Sequence, residues 1–150
     1  MTDQTHLSKV WPILPQKLLG MPQPQVDDLP QLYNSGVRAI VSLLEDASSL
    51  EHYNSHQFKQ CWIPVADNGA PSLSQVDELV EFIDEQLAND LPVAVHCKGG
   101  KGRTGTLLAA YLIAKGASYK SAMNQIDKAK PNAIKKDFQI SFLKELASLV

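Results

Sequence analysis

The stretch His96-Cys97-Lys98-Gly99-Gly100-Lys101-Gly102-Arg103-Thr104-Gly105 follows the apolar run Pro92-Val93-Ala94-Val95 and leads into Leu107-Leu108-Ala109-Ala110-Tyr111-Leu112-Ile113. The first run predicts a fully buried strand from Pro92 to His96. The second predicts a mostly apolar helix from Thr104 to Lys115, ended by Gly116. Between them lies a turn with three glycines. Such a turn can aim successive backbone N–H groups at one point, and the helix start adds partial positive charge there. The cradle suits an oxyanion, most naturally a phosphate.

The side chains agree with the backbone. A cysteine at the mouth of this cradle feels the N–H groups, the helix terminus and the cations at positions 98, 101 and 103. All three favour thiolate over thiol, which makes Cys97 a nucleophile aimed at the bound anion. Arg103 follows after five intervening residues. Its planar fork can hold two phosphate oxygens and stabilise a transferring phosphoryl group. Lys98, Gly99, Gly100, Lys101, Gly102 and Arg103 therefore form the phosphate-binding stretch. A lone cysteine after an apolar strand is usually a small buried hydrophobe, and a lone arginine at a helix start is usually solvated. The combination argues against both. A nucleotide P-loop is excluded by spacing, because Lys101 is followed by Gly102 and Arg103 instead of Ser or Thr.

Outward from the loop, strands and helices alternate. Lys17-Leu18-Leu19-Gly20 reads as a short edge strand within a proline-rich, irregular lead-in over about residues 1–25. Asp28 to Ser35 reads as a short helix stopped by Gly36 in a left-handed conformation. Val37 to Leu44 has the β-branched density of a buried strand, and Cys61 to Val65 is a second, ending at or lying on an edge because of Pro64. Ser74 opens a helix with Val76, Leu79, Val80, Ile83 and Leu87 at helical spacing, and Asp77 completes a capping box. Ser118 caps a further helix reaching Lys130, and a last one covers about Asp137 to Leu149. Alternation of this kind predicts an α/β fold, a single domain over 1–150 with a mostly parallel sheet between helices.

Composition bounds the partners. The chain is 150 residues long, 44% hydrophobic and 20% charged, with a net charge of −2. That balance supplies no overall positive field for nucleic acid. The two cysteines, Cys61 and Cys97, argue against a disulfide framework and against a multi-cysteine zinc site. The polar start MTDQTHLSKV has no apolar leader, and no run approaches a membrane span. The expectation is a cytoplasmic monomer without membrane insertion.

HCKGGKGRTG resembles the HCxxGxxR[ST] loop of the protein tyrosine phosphatase superfamily. The whole chain resembles its small atypical dual-specificity members, of the VH1-like member Z type. The likeness runs through the N-terminal tryptophan, GVRAIVSLLED, WIPVADNGAPS, the loop and KPNAI. It implies a central sheet flanked by helices, a phosphocysteine intermediate, and no metal or other cofactor. In that family the leaving oxygen is protonated by an aspartate on a loop some thirty residues before the cysteine. Asp67 stands 30 residues before Cys97, in a segment with Asn68 and Gly69 that is equally a simple turn. Thr104 sits where the family places a hydroxyl that hydrogen-bonds the departing thiolate; it is also a natural helix cap. His96 sits where an imidazole braces the loop. Gln139 follows KPNAIKKDF, near where relatives carry a glutamine or glutamate after an Arg-Pro pair, but Lys130 replaces that arginine here. Glu45 stands just after the predicted Val37 to Leu44 strand, where it either orients Arg103 or a lysine or is a solvated loop acid.

Lys98 and Lys101 stand where protein-directed relatives usually have small or apolar residues. CKxGKGRTG is similar to the loop of the phosphatase and tensin homolog, where two lysines hold extra phosphates of an inositol ring. The lysines either do the same here or raise the potential for any anion. The resemblance implies a phosphorylated protein substrate, with phosphotyrosine first and phosphoserine or phosphothreonine beside it. An inositol phosphate or phosphoinositide is the alternative, and an inactive phosphate-binding module a second one. A rhodanese-type sulfurtransferase fits poorly with Arg103-Thr104 and Asp67.

Overall fold

Alternate residues of Val93-Ala94-Val95-His96 belong to two separate cores, and all four are buried. The computed structural model describes residues 9–150. Its strands are β1 (Trp11–Leu14), β2 (Leu18–Met21), β3 (Ala39–Ser42), β4 (Lys59–Trp62) and β5 (Val93–His96). They form one sheet in the order β1-β2-β5-β3-β4, antiparallel only between β1 and β2. The helices are α1 (Leu29–Asn34), α2 (Leu50–Ser55), α3 (Leu73–Ala88), α4 (Gly102–Ala114), α5 (Tyr119–Ala129) and α6 (Asp137–Leu149).

Val93 and Val95, with Ala39 and Val41, face a large core shared with α3, α4, α5 and α6. Ala94 and Ile40 face a smaller one with Leu29, Leu32 and Tyr53 from α1 and α2. Strands covered on both faces lose polar alternation, which is why these segments read as continuous apolar runs. Helix α4 buries 11 of its 13 residues, because α3, α5, α6 and the sheet surround it. The parallel centre puts the carboxyl ends of β3 and β5 side by side, with Ser42 opposite His96. The glycine-rich loop that follows β5 leaves from that end, where open α/β sheets collect ligands.

Several boundaries differ from the sequence reading. Strand β2 is internal, between β1 and β5, because Trp11–Leu14 pairs outside it. The lead-in is thus largely a hairpin; its first eight residues lie outside those described. Pro12 is tolerated because β1 is outermost, and the register shifts between Pro12 and Leu14. Strand β4 is the other edge and ends two residues before Pro64. The short helix begins as a 3-10 turn at Val26–Asp28, and Gly36 does adopt φ +114°. Helix α3 is capped by Ser72 and Gln75, not by Ser74 and Asp77. Gln75 N donates to Ser72 Oγ, Ser72 N donates to Gln75 Oε1, and Gln75 Nε2 reaches Pro64 O at 2.7 Å. That third bond ties the helix start to the segment leaving β4. Helix α2 was not anticipated; only Tyr53 of its six residues is buried, so it carries no periodic signal. Ser118 caps α5 and α6 starts at Asp137, both as expected.

Candidate active site

The loop after β5 is shaped by contacts made behind it. Gly100 has φ +72°, and a Cβ there would lie 2.4 Å from the backbone of Met21 and Pro22. Only glycine fits both the angle and the gap. The Gly100 carbonyl accepts from Trp11 Nε1 at 2.9 Å, and the Lys98 carbonyl accepts from Gln23 N at 3.0 Å. With these two carbonyls held by the N-terminal hairpin and its continuation, the loop's N–H groups are left for the centre.

Cys97 sits at that centre with 3% exposure. Burial works against its thiolate, but the Thr104 hydroxyl and the N–H groups of Thr104, Gly100 and Lys101 outweigh it. The net effect lowers the thiol below its usual range. Thr104 Oγ1 is fully buried and has no partner of full hydrogen-bond geometry. Its polar influence is therefore free to act on the sulfur.

His96 is a brace. Its Nδ1 lies 3.0 Å from the Cys97 carbonyl, which can only accept, so Nδ1 carries the proton. Nε2 is then an acceptor, and the Tyr53 hydroxyl donates to it at 2.9 Å. Burial is the main reason that His96 is pushed down to about 4; the Cys97 carbonyl opposes this and the Arg103 charge adds to it. The imidazole is neutral at pH 7 and is not a base for the thiol. Burial pushes Tyr53 up to about 12, partly offset by Ser49.

Arg103 is nearly buried. Its Nη1 donates to the Val65 carbonyl at 3.0 Å, and its Nη2 lies 3.6 Å from Asp67 Oδ1. The segment after β4 therefore reaches the start of α4, beside the Cys97 loop. Lys136 at the cap of α6 donates to Asn68 Oδ1 at 3.3 Å, tying the segment after β4 to a third one.

These segments enclose an open cavity of about 450 Å³. Asp67, Cys97, Lys98, Gly99, Lys101, Gly102, Arg103 and Gln139 line it, all singled out from the sequence. His96, Gly100 and Thr104 stand buried behind it. Gln139 is 2% exposed, packs beside Gly102, and its Oε1 has no partner. Glu45 is exposed and outside the lining; Arg103 turns to Val65 and Asp67 instead. Asn132, Ala133, Lys135 and Lys136 complete the wall, and the sequence reading misses them, as it misses Trp11 and Tyr53 as supports. The one available signal was the Lys135-Lys136 pair just before a predicted helix start.

Cys61 is half-buried on the edge strand β4, and burial followed by the Glu78 charge pushes it up to about 12. It pairs with Val41, which pairs in turn with Val95. Two strand spacings, roughly 9–10 Å, separate Cys61 from the β5 line, and Cys97 lies further along. A Cys61–Cys97 disulfide is out of reach, since bridged Cα atoms lie within about 7 Å.

A lowered thiol in a glycine-rich loop, with an adjacent arginine and an opposing aspartate, thus stands at the carboxyl end of the parallel strands. The family model described as "Tc-R-P: Polymorphic toxin system, DSP-PTPase phosphatase" matches residues 16–117, and the chain belongs to this family. Human dual specificity protein phosphatase 9 is 34% identical over 105 residues, 69% of this chain and 27% of that protein. Phosphatidylglycerophosphate phosphatase PTPMT2 of Arabidopsis thaliana is 27% identical over 144 residues, 93% of this chain and 63% of that protein. The chain thus spans less than two thirds of these relatives. The crystal structure of Tk-PTP in the active form superposes with a TM-score of 0.88 at 27% identity, covering 95% of this chain and 98% of that one. The sheet flanked by helices expected from the sequence is the fold of these phosphatases. No helix of the described residues is long and apolar enough to cross a membrane.

Proposed function

We propose that this protein hydrolyses phosphomonoesters through a phosphocysteine intermediate on Cys97. The supporting observation is the meeting of Cys97, Arg103 and Asp67, from two separate loops, in one cavity. The Cys97 thiolate attacks phosphorus while Arg103 and the loop N–H groups hold the equatorial oxygens. The bond to the leaving oxygen breaks, and Asp67 gives that oxygen its proton. Water then attacks the phosphocysteine and passes a proton to the Asp67 carboxylate. The P–S bond breaks, Thr104 donates to the returning thiolate, and inorganic phosphate leaves. Gln139 Oε1, buried without a partner, is suited to accept from that water.

Relatives named dual specificity protein phosphatases support phosphotyrosine as substrate, with phosphoserine and phosphothreonine beside it. A thiolate nucleophile needs a reducing compartment, which favours the cytoplasm. Cys97→Ser should abolish turnover of p-nitrophenyl phosphate and retain phosphate binding. Vanadate should inhibit the wild type and chelators should not. Turnover surviving Cys97→Ser, or lost with EDTA, overturns the mechanism.

A second reading is supported by Lys98 and Lys101, both exposed and both lining the cavity. It is hydrolysis of an inositol polyphosphate or phosphoinositide. If it holds, removing either lysine should cost roughly ten- to a hundred-fold in kcat/KM on an inositol polyphosphate. The loss on a phosphotyrosine peptide should be far smaller at the same ionic strength. Equal losses would return the lysines to general attraction.

A further inference from the structure

Four lysines, Lys98, Lys101, Lys135 and Lys136, line the cavity around Cys97, and none is ion-paired with a carboxylate among the described residues. The one carboxylate that lines it among the described residues, Asp67, is matched to Arg103. A chain of net charge −2 therefore gathers four uncompensated cations at one opening. One phosphate monoester, with a charge of about −2, leaves roughly half of that field unmatched.

Two of the lysines come from the connection between α5 and α6, well away in sequence from the catalytic loop. That connection is held down on α4, where Gly105 leaves room for Ala133 and Ile134; a Cβ there would meet Ile134 at 3.0 Å. Lys136 is the cap residue of α6 and supplies no side-chain cap; Gln139 N donates to the Lys136 carbonyl at 3.0 Å, so the N–H groups of Asp137 and Phe138 are the free donors of a first turn that also carries the exposed Asp137 carboxylate. Gln139, one turn into α6, presents the buried, unpartnered Oε1 to the same cavity. Among the described residues no aromatic side chain lines the opening, so they offer a phosphotyrosine ring no face to stack on.

We infer that Lys135, Lys136 and the first turn of α6 form a second anion subsite, for a polyol phosphate that carries at least one phosphate besides the one being hydrolysed. This rests on the phosphomonoesterase reading and names its substrate class. The polyol's hydroxyl groups give Gln139 Oε1 the donor it lacks, and water takes that place once the alcohol has left.

The test compares inositol bisphosphate with inositol monophosphate, a pair differing by one phosphate, on wild type and on Lys135→Ala. Lys135 makes no side-chain hydrogen bond, whereas Lys136 also holds Asn68, so Lys135 is the cleaner probe. The bisphosphate should be preferred by wild type, chiefly through KM. Lys135→Ala should lose roughly ten- to a hundred-fold on it and severalfold less on the monophosphate, with Lys135→Arg restoring most of the difference. Calorimetric binding of both compounds to Cys97→Ser, with and without Lys135→Ala, measures the subsite without turnover. A wild type inert on p-nitrophenyl phosphate would sink the phosphatase reading, yet the binding preference would still decide the subsite. Equal affinity for the two compounds, or a Lys135→Ala loss equal on both, overturns it. Vesicles of phosphatidylcholine carrying a phosphatidylinositol phosphate then separate the sources. Turnover in vesicles above that of the soluble bisphosphate assigns the second phosphate to a lipid headgroup's diester, and the reverse assigns it to a free polyol.

Discussion

Asp67 Oδ1 stands 3.6 Å from Arg103 Nη2, with its side chain 77% exposed and the arginine's only 9%. An ion pair so open to water contributes little to stability. A phosphate entering the loop can therefore take Arg103 from Asp67 at small cost. On the proposed mechanism, the released carboxyl is then free to serve the leaving oxygen.

Asp67→Asn keeps the shape and removes the transferable proton. On alkyl or phenyl phosphates kcat/KM should fall on the order of 10²–10⁴-fold, with loss of the basic limb of its pH profile. The deficit should shrink as the leaving group improves. A deficit independent of leaving group would assign the proton to another residue.

Thr104→Ala removes a contribution that lowers the Cys97 thiol. The thiol should then titrate at higher pH, so less thiolate is present under acidic conditions. The acid limb of kcat/KM, and of the iodoacetamide alkylation rate at Cys97, should both move upward. An unmoved alkylation profile would show that the backbone N–H groups alone hold the thiolate.

His96 titrates at about 4 in the folded chain, against an ordinary value of 6.5. Between these values the unfolded chain binds a proton that the folded chain does not. This contribution to stability is complete above pH 6.5 and declines as pH falls toward 4, by about 3 kcal/mol. Urea midpoints should follow that decline. Tyr53→Phe leaves Nε2 buried without its donor and should lower stability by about 1–3 kcal/mol at neutral pH. A flat pH dependence of the urea midpoint across this window would contradict the buried neutral imidazole.

The two cysteines should part company under peroxide. Cys97, lowered and lining the cavity, should be oxidised to a sulfenic acid that thiols reverse, while Cys61, raised to about 12, should not react. Mass spectrometry after dimedone trapping separates them. Cys61→Ser should leave recovery unchanged, in keeping with the two strand spacings between Cys61 and the β5 line.

The loop after β5 was legible because its pattern is local: cysteine, glycines and arginine lie within one turn of chain. Asp67 and Gln139 depended on family resemblance, since nothing in their own neighbourhoods sets them apart from turn and helix residues. Trp11 was hidden among prolines that normally oppose strands, and an outermost strand tolerates them. Ser72 and Ser74 offer two near-equal capping boxes, and the choice falls to Gln75's distant contact with Pro64. Lys135 and Lys136 resemble any solvated pair until Gly105 lets their loop settle on α4.

The Trp11 indole, bonded to the Gly100 carbonyl, is a built-in optical probe of the loop that holds Cys97. The other tryptophan, Trp62, is 38% exposed on the far edge strand and reports solvent instead. With Trp62 replaced by Phe, the remaining emission comes from a ring whose N–H touches the phosphate cradle from behind. Occupancy of the loop by vanadate, phosphate or substrate then becomes a fluorescence signal, read without label and without turnover.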